Sequence, residues 1–365
     1  MAKDSDKEVP AVPVRKPTAK KTFSLNDFKK KIGGEDSPDK PLRWIPTSRA
    51  MQDATGLPGF PMGYVGLARG FSNTGKSTAV CEAIVNAQKM GVLPIIIDTE
   101  NNLGTERLRK MGFDWDNGFY ITVDNEFLLN QFGKKEDKTR KQASIEDMAE
   151  AMFFFLDQQE AGDLPHDLLF AIDSLGTLDC IKTINAKEKS TNDNNMWNAG
   201  AFEKAFKYML NNTIPNSRKE SKEYTNTVIG VQKIWLDNMG AGVVKHKGGE
   251  TFYYGSRLIY HFGGIAAHGA KKVSATSKNR DISYGIEANV NVAKNQIDGP
   301  LGGISFEGKV VSTPHGFILP DKDSIDTYKK DNILFFRNIL GTDVDASELG
   351  DKYTDIRNDE KFEIG

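Results

Sequence analysis

Gly70-Phe71-Ser72-Asn73-Thr74-Gly75-Lys76-Ser77 constrains this chain more tightly than any other segment. The apolar run Tyr64 to Ala68 precedes it, and a helix-like stretch, TAVCEAIVNAQKMG, follows from Thr78. A strand, a glycine-rich loop and a helix start in that order turn successive backbone N–H groups toward one point, at the positive end of the helix dipole. Such a loop holds a polyphosphate. Gly70 to Gly75 supply the cradle, Lys76 reaches the terminal phosphates, the Ser77 hydroxyl takes a place on Mg²⁺, and Thr78 opens the helix beneath them. ATP with Mg²⁺ is therefore the expected cofactor. A plain glycine-rich turn is the competing reading.

The rest of the chain reads as α/β. Further apolar runs bounded by Gly or Pro lie at Val92 to Ile97, Phe119 to Val123, Leu168 to Ile172, Val228 to Val231, Leu258 to Phe262, Ile286 to Ala293 and Ile304 to Phe306. Helix-like segments between them imply a mainly parallel sheet covered on both faces. Ser144-Ile145-Glu146-Asp147 is a capping-box start for a helix. Two charged stretches, Gly133 to Arg140 and Asn216 to Asn226, read as surface insertions.

Residues 1–40 carry few large apolar groups and read as a flexible arm, with Phe23 to Phe28 as a possible oligomerisation segment. Residues 41–320 form the expected core and 321–365 a small C-terminal region ending in an acidic tail. A formal charge of −2 means that any polyanion must be met by a local basic patch. Cys81 and Cys180 sit in apolar surroundings and read as reduced core thiols. The longest apolar runs fall far short of the roughly 20 residues of a membrane span, so a soluble, cytoplasmic protein is expected.

Three strand ends carry polar groups where α/β sheets bind ligands. Asp173 closes the run Leu168 to Ile172 and is placed to hold magnesium with Ser77; capping the next segment is its bland alternative. Asp98 and Glu100 close another, and Glu100 is the candidate base for the attacking water, with a helix-start role as the alternative. Gln232 ends Thr227 to Val231, where its amide can report a γ-phosphate. Lys233 to Lys247 then mixes Gly, Lys, Trp235 and Met239 without a helical or strand period, and reads as a mobile loop before Gly248 and Gly249.

In this order the segments resemble the RecA family of homologous-recombination ATPases, and its bacteriophage UvsX-type branch in particular. Gly56 to Gly63 is similar to the family's "GLPMG", Leu108 to Asp114 to the phage "LRxMGxD", and Ala293 to Pro300 to "VKNKIxxP". The resemblance implies a RecA-like P-loop ATPase core. It puts Met196 and Trp197 in a first DNA-binding loop, with Lys204 in place of a missing arginine, and makes Lys233, Trp235, Lys245, Lys247, Gly248 and Gly249 a second. It also implies that Lys294 reaches nucleotide on an adjacent protomer, that Gln296 replaces a second lysine, and that Arg107 falls where an aromatic stacks on adenine. Tyr253 and Tyr254 would transmit nucleotide state between subunits, or simply pack.

The expected function is an ATP-dependent recombinase. It would form a helical homo-oligomeric filament on single-stranded DNA and pair it with homologous double-stranded DNA, with single-strand-binding and loader proteins as further partners and a phage-infected cell as one setting. A ring-forming helicase or loader ATPase shares the nucleotide site. A regulatory paralogue that binds ATP without turnover is the reading from a different class.

Overall fold

A computed structural model of the chain describes residues 24–31, 37–133, 140–188, 195–236, 244–246, 250–263 and 270–355. Two compact units emerge, residues 1–38 and 39–365. In the first, Leu25–Lys31 is helical, with Leu25 and Phe28 exposed.

The second unit is built on one sheet. A small antiparallel ribbon of β1 (Trp44–Pro46) and β2 (Gly59–Pro61) precedes it. The sheet comprises β3 (Val65–Gly70), β4 (Leu93–Asp98), β5 (Ile121–Asp124), β6 (Leu168–Asp173), β7 (Asn226–Leu236), β8 (Val244–His246), β9 (Leu258–Phe262), β10 (Lys271–Ser277), β11 (Arg280–Asn295), β12 (Glu307–Thr313), β13 (Gly316–Ile318) and β14 (Gly350–Asp355). Its main order is β13-β12-β11-β9-β3-β7-β6-β4-β5. From β9 to β5 all neighbours pair in parallel. This is a mixed α/β fold with a large, mostly parallel central sheet, as a RecA-like core requires.

Alternation along the parallel strands shows why both faces are covered. Ile95 and Ile97 point into one core cluster and Ile96 into another; Phe170 and Ile172 part from Leu169 and Ala171 in the same way. Helix Lys76–Lys89 closes the Ile96 face through Val80, Ala83 and Ile84, and helix Ile145–Ala161 closes the Ile95 and Ile97 face through Met148, Met152 and Phe155. Each such fully buried aliphatic or aromatic side chain contributes about 1.5–3 kcal/mol relative to exposure. Because all six strands run the same way, their carboxyl ends share one edge.

Four expectations change. Ile304 to Phe306 is not a strand; the ladder starts at Glu307. Beyond β9 the sheet turns antiparallel, with β10, β12 and β14 added from segments whose polar composition hid them and β13 from an apolar segment of only three residues. Lys233 to Lys247 is not one loop: β7 runs through Leu236 and β8 returns against it, Ile234 opposite His246. Residues 237–243 and 247–249 lie outside the described ones.

The charged stretch Gly133 to Arg140 is also not all surface. Residues 134–139 lie outside the described ones, but Arg140 is buried and donates to both carboxylate oxygens of Asp147 at 2.7 Å, and to Ser144 Oγ at 3.1 Å. Asp147 is the reciprocal partner in the Ser144 capping box that starts helix Ile145–Ala161. Asn216 to Asn226 is anchored by buried Ser217, Thr225 and Asn226, with Asn216 and the tip at Glu220 to Glu223 exposed. No helix among the described residues is long and apolar enough to cross a membrane.

Removing one partner of a buried ion pair strands the other charge. Arg140→Ala is expected to lower unfolding stability by about 3–5 kcal/mol, measured by urea denaturation. A loss below about 1 kcal/mol would show that Asp147 needs no cation.

Candidate active site

The loop after β3 is held in shape by steric need. Gly75 has φ 103°, and a Cβ there would meet the Phe317 ring at 2.9 Å, so conformation and space both require glycine. Thr74 Oγ1 donates to the Phe71 carbonyl at 2.8 Å, and the Lys76 ammonium, 5% exposed, donates to the same oxygen across the loop. Burial pushes the Lys76 pKa down to about 8; Lys233 adds to that, while Asp173 and Glu100 oppose it. The loop, Lys76 and Ser77 line a cleft of ≈ 300 Å³ together with Glu100, Asp173 and Lys233.

Asp173, 1% exposed, ends β6 directly beside Asp98 at the end of β4. Burial raises its pKa; the Ser77 hydroxyl bonded to it works the other way, and the negative charges of Glu100 and Asp98 raise it further. Its Oδ2 is buried and has no hydrogen-bond partner among the described residues. An orphaned carboxylate oxygen beside a serine hydroxyl is a donor set that suits Mg²⁺, a hard cation taking oxygen ligands.

Asp98 is satisfied locally. Its carboxylate accepts from the backbone N–H of Glu100 (3.2 Å), Asn102 (3.1 Å) and Leu103 (2.9 Å), which shapes the turn that carries Glu100 into the cleft. Glu100 accepts from Ser174 Oγ and Thr177 Oγ1 on one oxygen, and from Lys233 Nζ and Asn102 Nδ2, both at 2.8 Å, on the other. Burial alone would raise its pKa, but the bonds from Lys233, Ser174 and Thr177 outweigh that and hold it at about 2. Sequence reading missed Asn102, Ser174 and Thr177. The signal was available in the hydroxyls one and four residues beyond the strand-end Asp173.

Val231 and Lys233 line the cleft, and Gln232 between them is fully buried without lining it. The expected sensing amide therefore stands on the other face of β7, and Lys233, expected on DNA, turns its ammonium to Glu100. Arg107, on helix Thr105–Lys110, also lines the cleft, and its Nη2 donates to Thr78 Oγ1 at 2.5 Å. A planar guanidinium there can stack on a base.

The remaining expected residues lie elsewhere. Lys294 donates to the carbonyls of Tyr253 and Tyr254 at 3.2 Å, and burial followed by the Arg257 charge lowers its pKa. Gln296 accepts from Arg257 Nη1 at 3.2 Å. Tyr253 lies under the Arg69 guanidinium, and Tyr254 is exposed. Helix Asn195–Tyr208 begins at Asn195, so Met196 and Trp197 belong to its first turn and not to a loop. Trp197 packs against the core and carries the Lys182 ammonium 4.0 Å over its ring; Lys204 is exposed on the same helix. Of Met196, Trp235 and Lys245 only the backbone is described, and Lys247, Gly248 and Gly249 lie outside the described residues.

A phosphate bound near Lys76 favours its charged form, so binding should take up protons near pH 8. Affinity for a nucleoside diphosphate is expected to hold from pH 6 to 7.5 and to fall, by up to about ten-fold per unit, as pH rises through 8. Titration calorimetry in buffers of different ionisation enthalpy reads both effects, and Lys76→Arg should remove that limb.

No protein-family profile matches the chain. Over 91 residues it is 37% identical to Protein RecA of Streptomyces avermitilis and to Protein RecA of Streptomyces coelicolor, covering 25% of this chain and 24% of each relative. It is 35% identical over 91 residues to Protein RecA of Bifidobacterium longum, covering 25% of this chain and 23% of that protein. The matches thus span about a quarter of the length of these relatives. With the mostly parallel sheet and its strand-end carboxylates, they support a relationship to the RecA family.

Proposed function

We propose that this chain is a DNA-dependent ATPase and recombinase, which assembles as a filament on single-stranded DNA and pairs it with a homologous duplex. One observation carries the reading. Lys76, Ser77, Asp173 and Glu100 converge on a single cleft at the sheet edge, and β7 runs from that cleft straight into the β7–β8 ribbon. Loop amides and Lys76 would hold the phosphates, while Ser77 and Asp173 would hold Mg²⁺, which neutralises phosphate charge when bound. Glu100 would orient the water. Lys204 and the basic ribbon offer charge to a phosphate backbone without sequence preference. Closeness to phage recombinases, Lys294 acting across a subunit boundary, and help from loader or single-strand-binding proteins belong to the same proposal.

A second reading has one observation in its favour. Glu100 is fully occupied by donors, as a regulatory paralogue without turnover would allow.

A joint-molecule assay with single-stranded DNA, homologous or non-homologous duplex and Mg-ATP tests the main reading. Homology-dependent product is expected, with phosphate release stimulated by single-stranded DNA. Glu100→Gln should cut that release by about 10²–10⁴-fold while nucleotide still binds. Binding without any DNA-stimulated release in the unmodified protein would favour the paralogue.

A further inference from the structure

β7 delivers Lys233 to the cleft. Its backbone stands opposite Gly70, the first residue of the phosphate loop, in the β3–β7 register. Its ammonium lies 2.8 Å from Glu100 Oε2. The pair is not a packed structural bridge, because the Lys233 side chain is 37% exposed and Glu100 only 12%. Lysine is a point charge on a flexible stem and can redirect its donors without backbone movement.

Glu100 cannot yet serve a water. Each carboxylate oxygen offers about two acceptor positions, and each already takes two side-chain donors. One donor must leave before a water can dock. Ser174 and Thr177 have short side chains and also bond each other, at 3.1 Å. Lys233 is the one cation of the four, so it is the one that a more negative acceptor in the same cleft attracts most strongly. Lys76 sits close enough to feel its charge. Two ammonium groups facing one cleft favour an anion of high charge density between them.

We propose that Lys233 reads the terminal phosphate of a bound nucleoside triphosphate: it exchanges Glu100 for that phosphate, and the exchange opens an acceptor position on Glu100 for the attacking water. This inference rests on the nucleotide-hydrolysing reading above. A diphosphate has no group at that position, so Lys233 remains on Glu100. Discrimination between the two nucleotides and release of the base are then one event, carried by a side chain next in sequence to the amide that sequence reasoning chose.

Binding measurements on full-length protein separate this from a permanent Lys233–Glu100 bridge. Glu100→Gln gives a background in which no ion pair remains to be broken. In that background, with Mg²⁺ present, Lys233→Met is expected to weaken a non-hydrolysable ATP analogue by about ten-fold or more and to leave ADP within two-fold, by titration calorimetry. Lys233→Arg, which keeps the charge, should retain most of the lost discrimination and shows that the site still folds. Unchanged affinity for both nucleotides, or an equal loss for both, overturns the inference while the nucleotide site stands. Failure of the Glu100→Gln protein to bind either nucleotide overturns the functional reading and this inference with it.

Discussion

Asp98 and Asp173 stand opposite each other at the ends of adjacent parallel strands, and the site is organised by how the protein tolerates those two like charges. Parallel strands put all their carboxyl termini on one edge, so a strand-end acid inevitably meets its neighbour's. The two are handled differently. Asp98 spends its oxygens on three backbone N–H groups of the following turn and so becomes the organiser of the segment carrying Glu100. Asp173 keeps a buried oxygen without a partner among the described residues and remains dependent on a cation. Glu100 adds a third negative charge, which Lys233 balances directly while Lys76 serves the phosphate loop. The cleft is therefore a charge-matched assembly whose unmatched member is the oxygen that suits magnesium.

Much of this was legible because the parallel half of the sheet is covered on both faces. Such strands read as unbroken apolar runs, and a charge at the end of one stands out. Leu168 to Asp173 and Leu93 to Asp98 are of this kind. Lys271–Ser277 and Glu307–Thr313 are not, since lysines, serines and threonines fill their exposed positions and nothing in composition separates them from loops. The Arg140–Asp147 bridge hid for another reason. Asp147 was visible as a capping-box acid, but a residue seven positions earlier has no helical or strand spacing to it, so only the folded turn reveals the pair.

The choice between Gln232 and Lys233 shows a limit that more pattern analysis would not lift. Which face a strand residue takes is read from alternation, and Asn226 to Val231 is buried on both sides. Alternation of hydrophobicity is absent there, so the phase was set by chemistry alone: an amide looked like the better sensor. The register with β3 places Lys233 at Gly70, where the loop begins, and Val231 and Lys233 share the cleft.

That phase also bears on how the two ends of β7 communicate under the proposed function. Pairing with β8 begins at Ile234, the residue after Lys233, so no loop intervenes between the cleft and the ribbon. Gly70 opposite Lys233 and Arg69 opposite Gln232 tie the same stretch to the strand that bears the phosphate loop. Pairing with β3 fixes the strand to the nucleotide site as far as Lys233, and pairing with β8 takes over from Ile234. A change of partner at Lys233 alters the charge at the base of that ribbon without unpairing a rung. Coupling of this kind needs only a side chain with two competing acceptors within reach, and the reciprocal consequence follows from linkage: whatever the ribbon grips must bias that competition by the same free energy.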